Sequence, residues 1–217
     1  MIRAAIFDMD GLMFDTEHLA FEGWMKAAKE LNYPITPEVI ALLRGRNIKA
    51  SKALFEELFG NNVDYDKARQ IRTTYVIETI EKSGIPIKTG LLEMLSYLKQ
   101  KQIKMAVATS THKEQAIRFL ELAGVTRYFD FCICGDMVTS GKPDPEIFLK
   151  AAEILDQKPE NCVIFEDSPA GVEAGWQAGS KVVLIPDLTE PTQETVEMAA
   201  IVCKDLVEAI AVIELWK

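Results

Sequence analysis

The chain has 217 residues, 48% of them hydrophobic and 26% charged, and 33 acids against 24 bases give a net charge of −9. That length supports one substantial core with room for an inserted module, and the apolar fraction excludes a disordered chain. The acidic balance excludes a long-range positive field, so no nucleic-acid or membrane partner is expected and an anionic ligand must be attracted locally.

The first run, Ile2 to Phe7, reads as a strand and not as the basic-then-apolar start of a signal segment. The other apolar stretches are far too short to span a membrane, and a cytoplasmic location is the matching expectation. The next run of this kind is Ile103 to Thr109. An interval of roughly ninety residues is too long for a connection inside a compact domain, so something is inserted. Within it, Thr16 to Leu31, Pro37 to Leu43, Ser51 to Phe59 and Tyr65 to Ser83 read as helices, separated by turn signals at Asn32-Tyr33-Pro34 and Gly60-Asn61-Asn62. Ala20, Trp24, Ala27, Ala28 and Leu31 recur at helical spacing. A small helical bundle over residues 15–83 follows, held on linkers near Phe14-Asp15 and Gly84 to Pro86.

Beyond residue 84, helix-period segments (Leu91 to Gln100, Lys113 to Leu122, Pro145 to Leu155, Ala170 to Ala178, Leu206 to Trp216) alternate with short apolar runs. The runs are Ile103 to Thr109, Phe131 to Cys134, Cys162 to Phe165, Lys181 to Ile185 and Ala200 to Cys203. Runs this short and apolar on both faces predict a parallel sheet covered on both sides. The fold expected is therefore α/β and doubly wound, built from residues 1–14 and 84–217. Cys132, Cys134, Cys162 and Cys203 sit inside strand-like runs and read as reduced, buried thiols, since a lone C-x-C lacks the second pair a zinc site needs. Trp24, Trp176 and Trp216 fall in helical segments and read as packing residues.

In open α/β sheets ligands bind at the carboxyl ends of the strands, which makes the residues ending each run the ones to inspect. The first strand ends in Asp8-Met9-Asp10-Gly11, two carboxylates that repel unless a cation lies between them. A hard cation such as Mg²⁺ suits one or two carboxylates plus water and phosphate oxygens. The second ends in Thr109-Ser110-Thr111 ahead of a helix, either an anion seat or a simple helix cap. Lys142 stands in Ser140-Gly141-Lys142-Pro143-Asp144-Pro145, able to offset acids and phosphate together. Glu166-Asp167-Ser168 ends a further strand; one acid there can be an N-cap, but capping does not explain four acids at one sheet edge.

In order and spacing, D-M-D-G, T-S-T, G-K-P-D-P and F-E-D-S-x-x-G-V-x-A-G-x-x-A-G resemble the motifs of the haloacid dehalogenase-like superfamily of phosphohydrolases, over the whole chain. The subgroup it looks like contains phosphoglycolate phosphatases and β-phosphoglucomutases, with a Rossmann-like core and a helical cap inserted after the first strand. The resemblance implies that Asp8 is a nucleophile forming an aspartyl-phosphate, that Asp10 is the general acid and base, and that Thr109 and Lys142 hold the phosphoryl group. It implies Mg²⁺ bound by Asp8, the Asp10 carbonyl and Asp167, with Glu166 beside it in direct or water-mediated contact. It disfavours dehalogenation, because dehalogenases lack the second aspartate and the metal site.

The resemblance also frames a choice between hydrolysis and phosphosugar mutation. Mutases of that type carry a histidine four residues after the threonine matching Thr16, and an arginine in the cap loop. Here Ala20 and Ile48 stand at those positions, around Arg44-Gly45, which favours a phosphatase for a small phosphorylated metabolite. His18, Arg46 and Lys49 lie close enough in sequence to substitute. Thr16, His18, Arg44, Arg46, Lys49 and Ser110 are the expected substrate contacts, and a monomer is the default assembly. A catalytically inactive binding module is the remaining reading; the full set of acids with Lys142 and Thr109 argues against it.

Overall fold

A computed structural model describes residues 2–216 except Gly45 and Asn47, so Gly45 of the Arg44-Gly45 pair lies outside the described residues. Strand β1 (Ala4–Phe7) is followed by α1 (Thr16–Leu31), α2 (Pro37–Leu43), α3 (Ile48–Phe59) and α4 (Tyr65–Ser83). Then come α5 (Leu91–Gln100), β2 (Lys104–Ala108), α6 (Lys113–Leu122), β3 (Phe131–Ile133), α7 (Glu146–Ile154) and β4 (Cys162–Glu166). The chain closes with α8 (Pro169–Gln177), β5 (Lys181–Leu184), α9 (Gln193–Met198), β6 (Ile201–Val202) and α10 (Leu206–Leu215).

The six strands form one parallel sheet in the order β3-β2-β1-β4-β5-β6. The doubly wound α/β core is thus present, and its strand order reverses between β1 and β4. Alternation along β1 feeds both layers: Ala5 and Phe7 join the cluster under α5, α6 and α10, while Ala4 and Ile6 join the cluster under α7 and α8. Phe7 stacks on Phe165 of β4 at 4.7 Å between ring centroids. Such fully apolar strands have no solvent face, which is why the runs read as continuous and not alternating.

The four inserted helices have their own apolar centre, in which Trp24, Phe55 and Tyr65 pack with ring centroids 5.0–5.9 Å apart. Helix α4 belongs to both centres. Tyr65 and Ala68 bury into the aromatic cluster, whereas Val76 and Ile80, further along, bury into the sheet's cluster. Gly23 lets α1 lie directly on α4: a Cβ there would stand 2.8 Å from the Arg72 carbonyl oxygen. The two linkers pair as a short ribbon, with Asp15 N donating to Pro86 O and Lys88 N donating to Met13 O. Gly84 caps α4 at φ +82°, a conformation costly for other residues.

Three expectations change. Helix α9 is unforeseen, since it has little apolar periodicity and is started by Thr192, whose hydroxyl accepts from Thr195 N. Helix α3 starts at Ile48, three residues before the expected Ser51. Trp176 is not a packing residue: it is 56% exposed. All four cysteines are free, Cys132 half-buried and the others buried.

Candidate active site

The carboxyl ends of β1, β2 and β4 open into a cavity of about 620 Å³, roofed by α1, α2, α3 and α4. On its floor, Asp8 leaves β1 only 7% exposed. Lys142 is equally buried and donates to Asp8, to Glu166 Oε1 at 2.6 Å and to the Ala108 carbonyl at 3.1 Å. One ammonium therefore ties β1, β2 and β4 together. Burial works to lower Lys142, but the charges of Asp8 and Glu166 outweigh it and hold the lysine protonated well above neutrality.

Asp10 is held differently. Its Oδ1 accepts from Thr16 Oγ1 at 2.7 Å, and its Oδ2 accepts from Thr111 Oγ1 at 2.7 Å and Thr109 Oγ1 at 3.3 Å. Three hydroxyls, one from the start of α1 and two from the segment after β2, fix its orientation. The helix-cap alternative for Ser110 and Thr111 fails: the N-cap of α6 is His112, and its side chain makes no capping bond. Gly11 follows with φ +91°, and a Cβ there would stand 2.3 Å from Asp167 Oδ2. The glycine is thus what allows Asp167, at the end of β4, to approach the first strand's turn.

Glu166 is placed otherwise than a ligand should be. It is fully buried, and Lys142 Nζ, Asp167 N, Ser168 N and Ser168 Oγ donate to its two oxygens, filling about four acceptor sites. It anchors Lys142 and the start of α8, where Ser168 is the N-cap, accepting from Gly171 N. Among the described residues no three His, Cys, Asp or Glu side chains already form a metal cage. The remaining donors nonetheless fit a divalent cation. Burial pushes Asp8 up to about 8, Lys142 opposing and Glu166 reinforcing. Burial with the charges of Glu166 and Asp8 lifts Asp167 well above the usual carboxylate range, with Lys142 opposing. Asp8 shares its one ammonium with Glu166, among the described residues no cation pairs with Asp167, and Mg²⁺ asks for no more than one or two carboxylates. Asp8 and Asp167 could hold it.

Of the expected substrate contacts, Thr16, Ser110, Arg44 and Arg46 line the cavity. His18 and Lys49 do not: both are exposed outside it, because the helical turns that aim Thr16 and Ala50 inward rotate their neighbours outward. Arg44 Nη1 donates to Leu188 O at 2.9 Å and Thr189 Oγ1 at 3.2 Å, clasping the helical insertion to the loop after β5. Arg46 Nε donates to Leu42 O at 2.7 Å.

The cavity also contains Thr111, one of the three hydroxyls ending the second run, and residues not anticipated: Glu17, Arg69, Arg72 and Asp187. Asp187 ends the β5 run, so the strand-end argument applied to β5 finds it; its Oδ1 accepts from Lys88 at 2.6 Å and its Oδ2 is buried without a hydrogen bond. Glu17 is pushed up to about 7 by burial; Arg72 and then Arg44 pull it down, while Asp10 and Asp187 push it further up. Arg69 and Arg72, three apart on α4, share a helix face, which spacing shows, but only the α1–α4 crossing at Gly23 turns that face to the site.

Asp8 and Asp10, two residues apart at the switch point of a parallel sheet, thus have different partners. Residues 5–185 match the haloacid dehalogenase-like hydrolase family, and the chain belongs to it. It is 35% identical over 178 residues to the phosphorylated carbohydrates phosphatase of Thermotoga maritima, covering 82% of each chain. To hexitol phosphatase A of Escherichia coli it is 30% identical over 184 residues, covering 84% of this chain and 82% of the other. The crystal structure of β-phosphoglucomutase from Clostridium difficile superposes with a TM-score of 0.81 at 26% identity, over 99% of this chain and 96% of that one. No described helix is long and apolar enough to cross a membrane.

Proposed function

We propose that this chain is a Mg²⁺-dependent phosphatase that hydrolyses a small phosphorylated carbohydrate through an aspartyl-phosphate on Asp8. The observation that carries the reading is the division of partners at the floor of the cavity: Asp8 on an ammonium, Asp10 on three hydroxyls. A carboxylate approaching a phosphate dianion needs nearby positive charge, and Lys142 supplies it without rearrangement. Bound by Asp8 and Asp167, Mg²⁺ supplies further charge neutralisation at the same place. An Asp8 oxygen attacks phosphorus in line, and Asp10 delivers a proton to the departing sugar oxygen. Asp10 then takes the proton of the water that releases phosphate. Ser110 and the N–H groups before α6 face the phosphoryl oxygens.

Residues 15–83 act as the cap. Closure, secured by Arg44 on Leu188 and Thr189, limits water during the first step. A mutase remains the competing activity by kinship, but the wall position four residues after Thr16 is a buried alanine, Ala20, without proton-transfer chemistry. The names of the two phosphatase relatives favour carbohydrate phosphates. Phosphate release from a panel of hexitol, hexose and pentose phosphates with Mg²⁺ tests the reading, with Asp8→Asn as control. The expected result is release that the variant loses; isomerised sugar phosphate without release, or turnover persisting in Asp8→Asn, contradicts it.

A further inference from the structure

Glu17 opens the first turn of α1 with its carboxylate on the cavity wall, and among the described residues it makes neither a hydrogen bond nor an ion pair. Arg72, on the facing helix α4, has its Nε buried and likewise without a hydrogen bond. Buried polar groups are ordinarily bonded, so the Arg72 Nε is a donor that a ligand can complete, and the half-buried Glu17 carboxylate is the acceptor near it on the cavity wall. The neighbouring arginines are already engaged, Arg44 with Leu188 and Thr189, Arg46 with Leu42.

Position along the chain assigns the ligand's part. Thr16, immediately before Glu17, donates to Asp10, the group that protonates the departing oxygen. Glu17 therefore stands on the leaving-group side, away from the phosphate seat at Lys142 and Ser110. A second phosphate between Arg69 and Arg72 would meet the charges of Glu17 and Asp187, which disfavour it. Uncharged hydroxyls meet no such penalty: each can donate to the carboxylate and accept from the guanidinium.

We propose that Glu17 is a specificity-determining residue that accepts hydrogen bonds from hydroxyls of a polyol leaving group, with Arg72 donating to the same group. The inference rests on the phosphatase reading and names the chemistry by which the site selects its substrate. That the Glu17 carboxyl is pushed up to about 7 accords with a group left without partners until a ligand arrives.

The test compares kcat/KM for sorbitol 6-phosphate with that for p-nitrophenyl phosphate, which has no leaving-group hydroxyls. In Glu17→Gln and Glu17→Ala the ratio of the two should fall about tenfold or more, since a hydrogen bond to a charged group carries that much discrimination. A ratio unchanged within about twofold overturns the inference. Calorimetric binding of sorbitol 6-phosphate to Asp8→Asn, with and without Glu17→Gln, reads the same contact without turnover. Weakening of about tenfold is expected, and equal affinity, or none in either, overturns the proposal. A wild-type chain that releases no phosphate yet shows the binding difference defeats the phosphatase reading alone.

Discussion

The floor and the roof of the cavity hold similar numbers of charged groups but treat them in opposite ways. At the sheet edge, Lys142, Glu166 and Asp10 are each bonded to two or more partners. On the roof, Glu17 and the Arg72 Nε are left open. The bonds that hold Lys142, Glu166 and Asp10 fix their geometry before any ligand arrives, which transition-state stabilisation needs. An open roof loses stability in the free protein and regains it from whatever ligand supplies the missing bonds. The floor thus suits chemistry common to a family, the roof a choice among substrates.

The largest way to break that contrast is at Lys142. Lys142→Met leaves Asp8 and Glu166 buried without their cation, and removing one partner of such a network costs about 3–5 kcal/mol. Urea unfolding should show that loss, with turnover down by about 10²–10³-fold. A fully stable Lys142→Met chain would mean that the floor is not an interdependent network.

The roof should respond in the other direction. Because burial raises the Glu17 carboxyl from 4.5 to about 7, the folded chain resists an ionisation that the unfolded chain undergoes freely. The penalty is absent below about pH 4.5, grows as pH rises and is complete above about 7. Glu17→Gln removes it, so the variant should gain about 3 kcal/mol of stability at pH 8 and little at pH 4.5. Urea midpoints at the two pH values measure this; a gain independent of pH, or a loss, would place Glu17 among the satisfied groups of the floor.

A smaller effect sharpens the account of Asp10. Thr111→Val removes one of its three hydroxyl donors while keeping shape. Turnover should fall about tenfold through kcat with KM little changed, as expected where a proton-transfer group is misdirected. A rise in KM alone would make Thr111 a substrate contact instead.

What was legible in the sequence follows the same division. The floor is built largely from residues that end strands, and a strand end is visible as an apolar run stopping at polar residues; Asp8, Asp10, Thr109 and Asp167 are legible that way, and Lys142 as a fixed cation just ahead of a proline-led helix. Even there the partners were hidden: that Glu166 is consumed by Lys142 and the Asp167–Ser168 backbone depends on side-chain packing. The roof is built from helix faces, and which face turns inward depends on how α1 crosses α4. His18 and Lys49 were therefore expected at the site and lie outside it, while Glu17, Arg69 and Arg72 went unnoticed. Arg44, expected to touch substrate, lines the cavity and also reaches the loop after β5, a contact between residues 144 and 145 apart in sequence. No local pattern encodes that.

The proposed catalytic cycle stands on Asp8 as the nucleophile. Rapid acid quench of the chain during turnover of sorbitol 6-phosphate with Mg²⁺, followed by peptide mass spectrometry, tests it most directly. The account predicts one phosphoryl group on the peptide containing Asp8, accumulating further when Asp10→Asn slows its hydrolysis; a phosphoryl group on any other residue, or turnover with none at all, contradicts it.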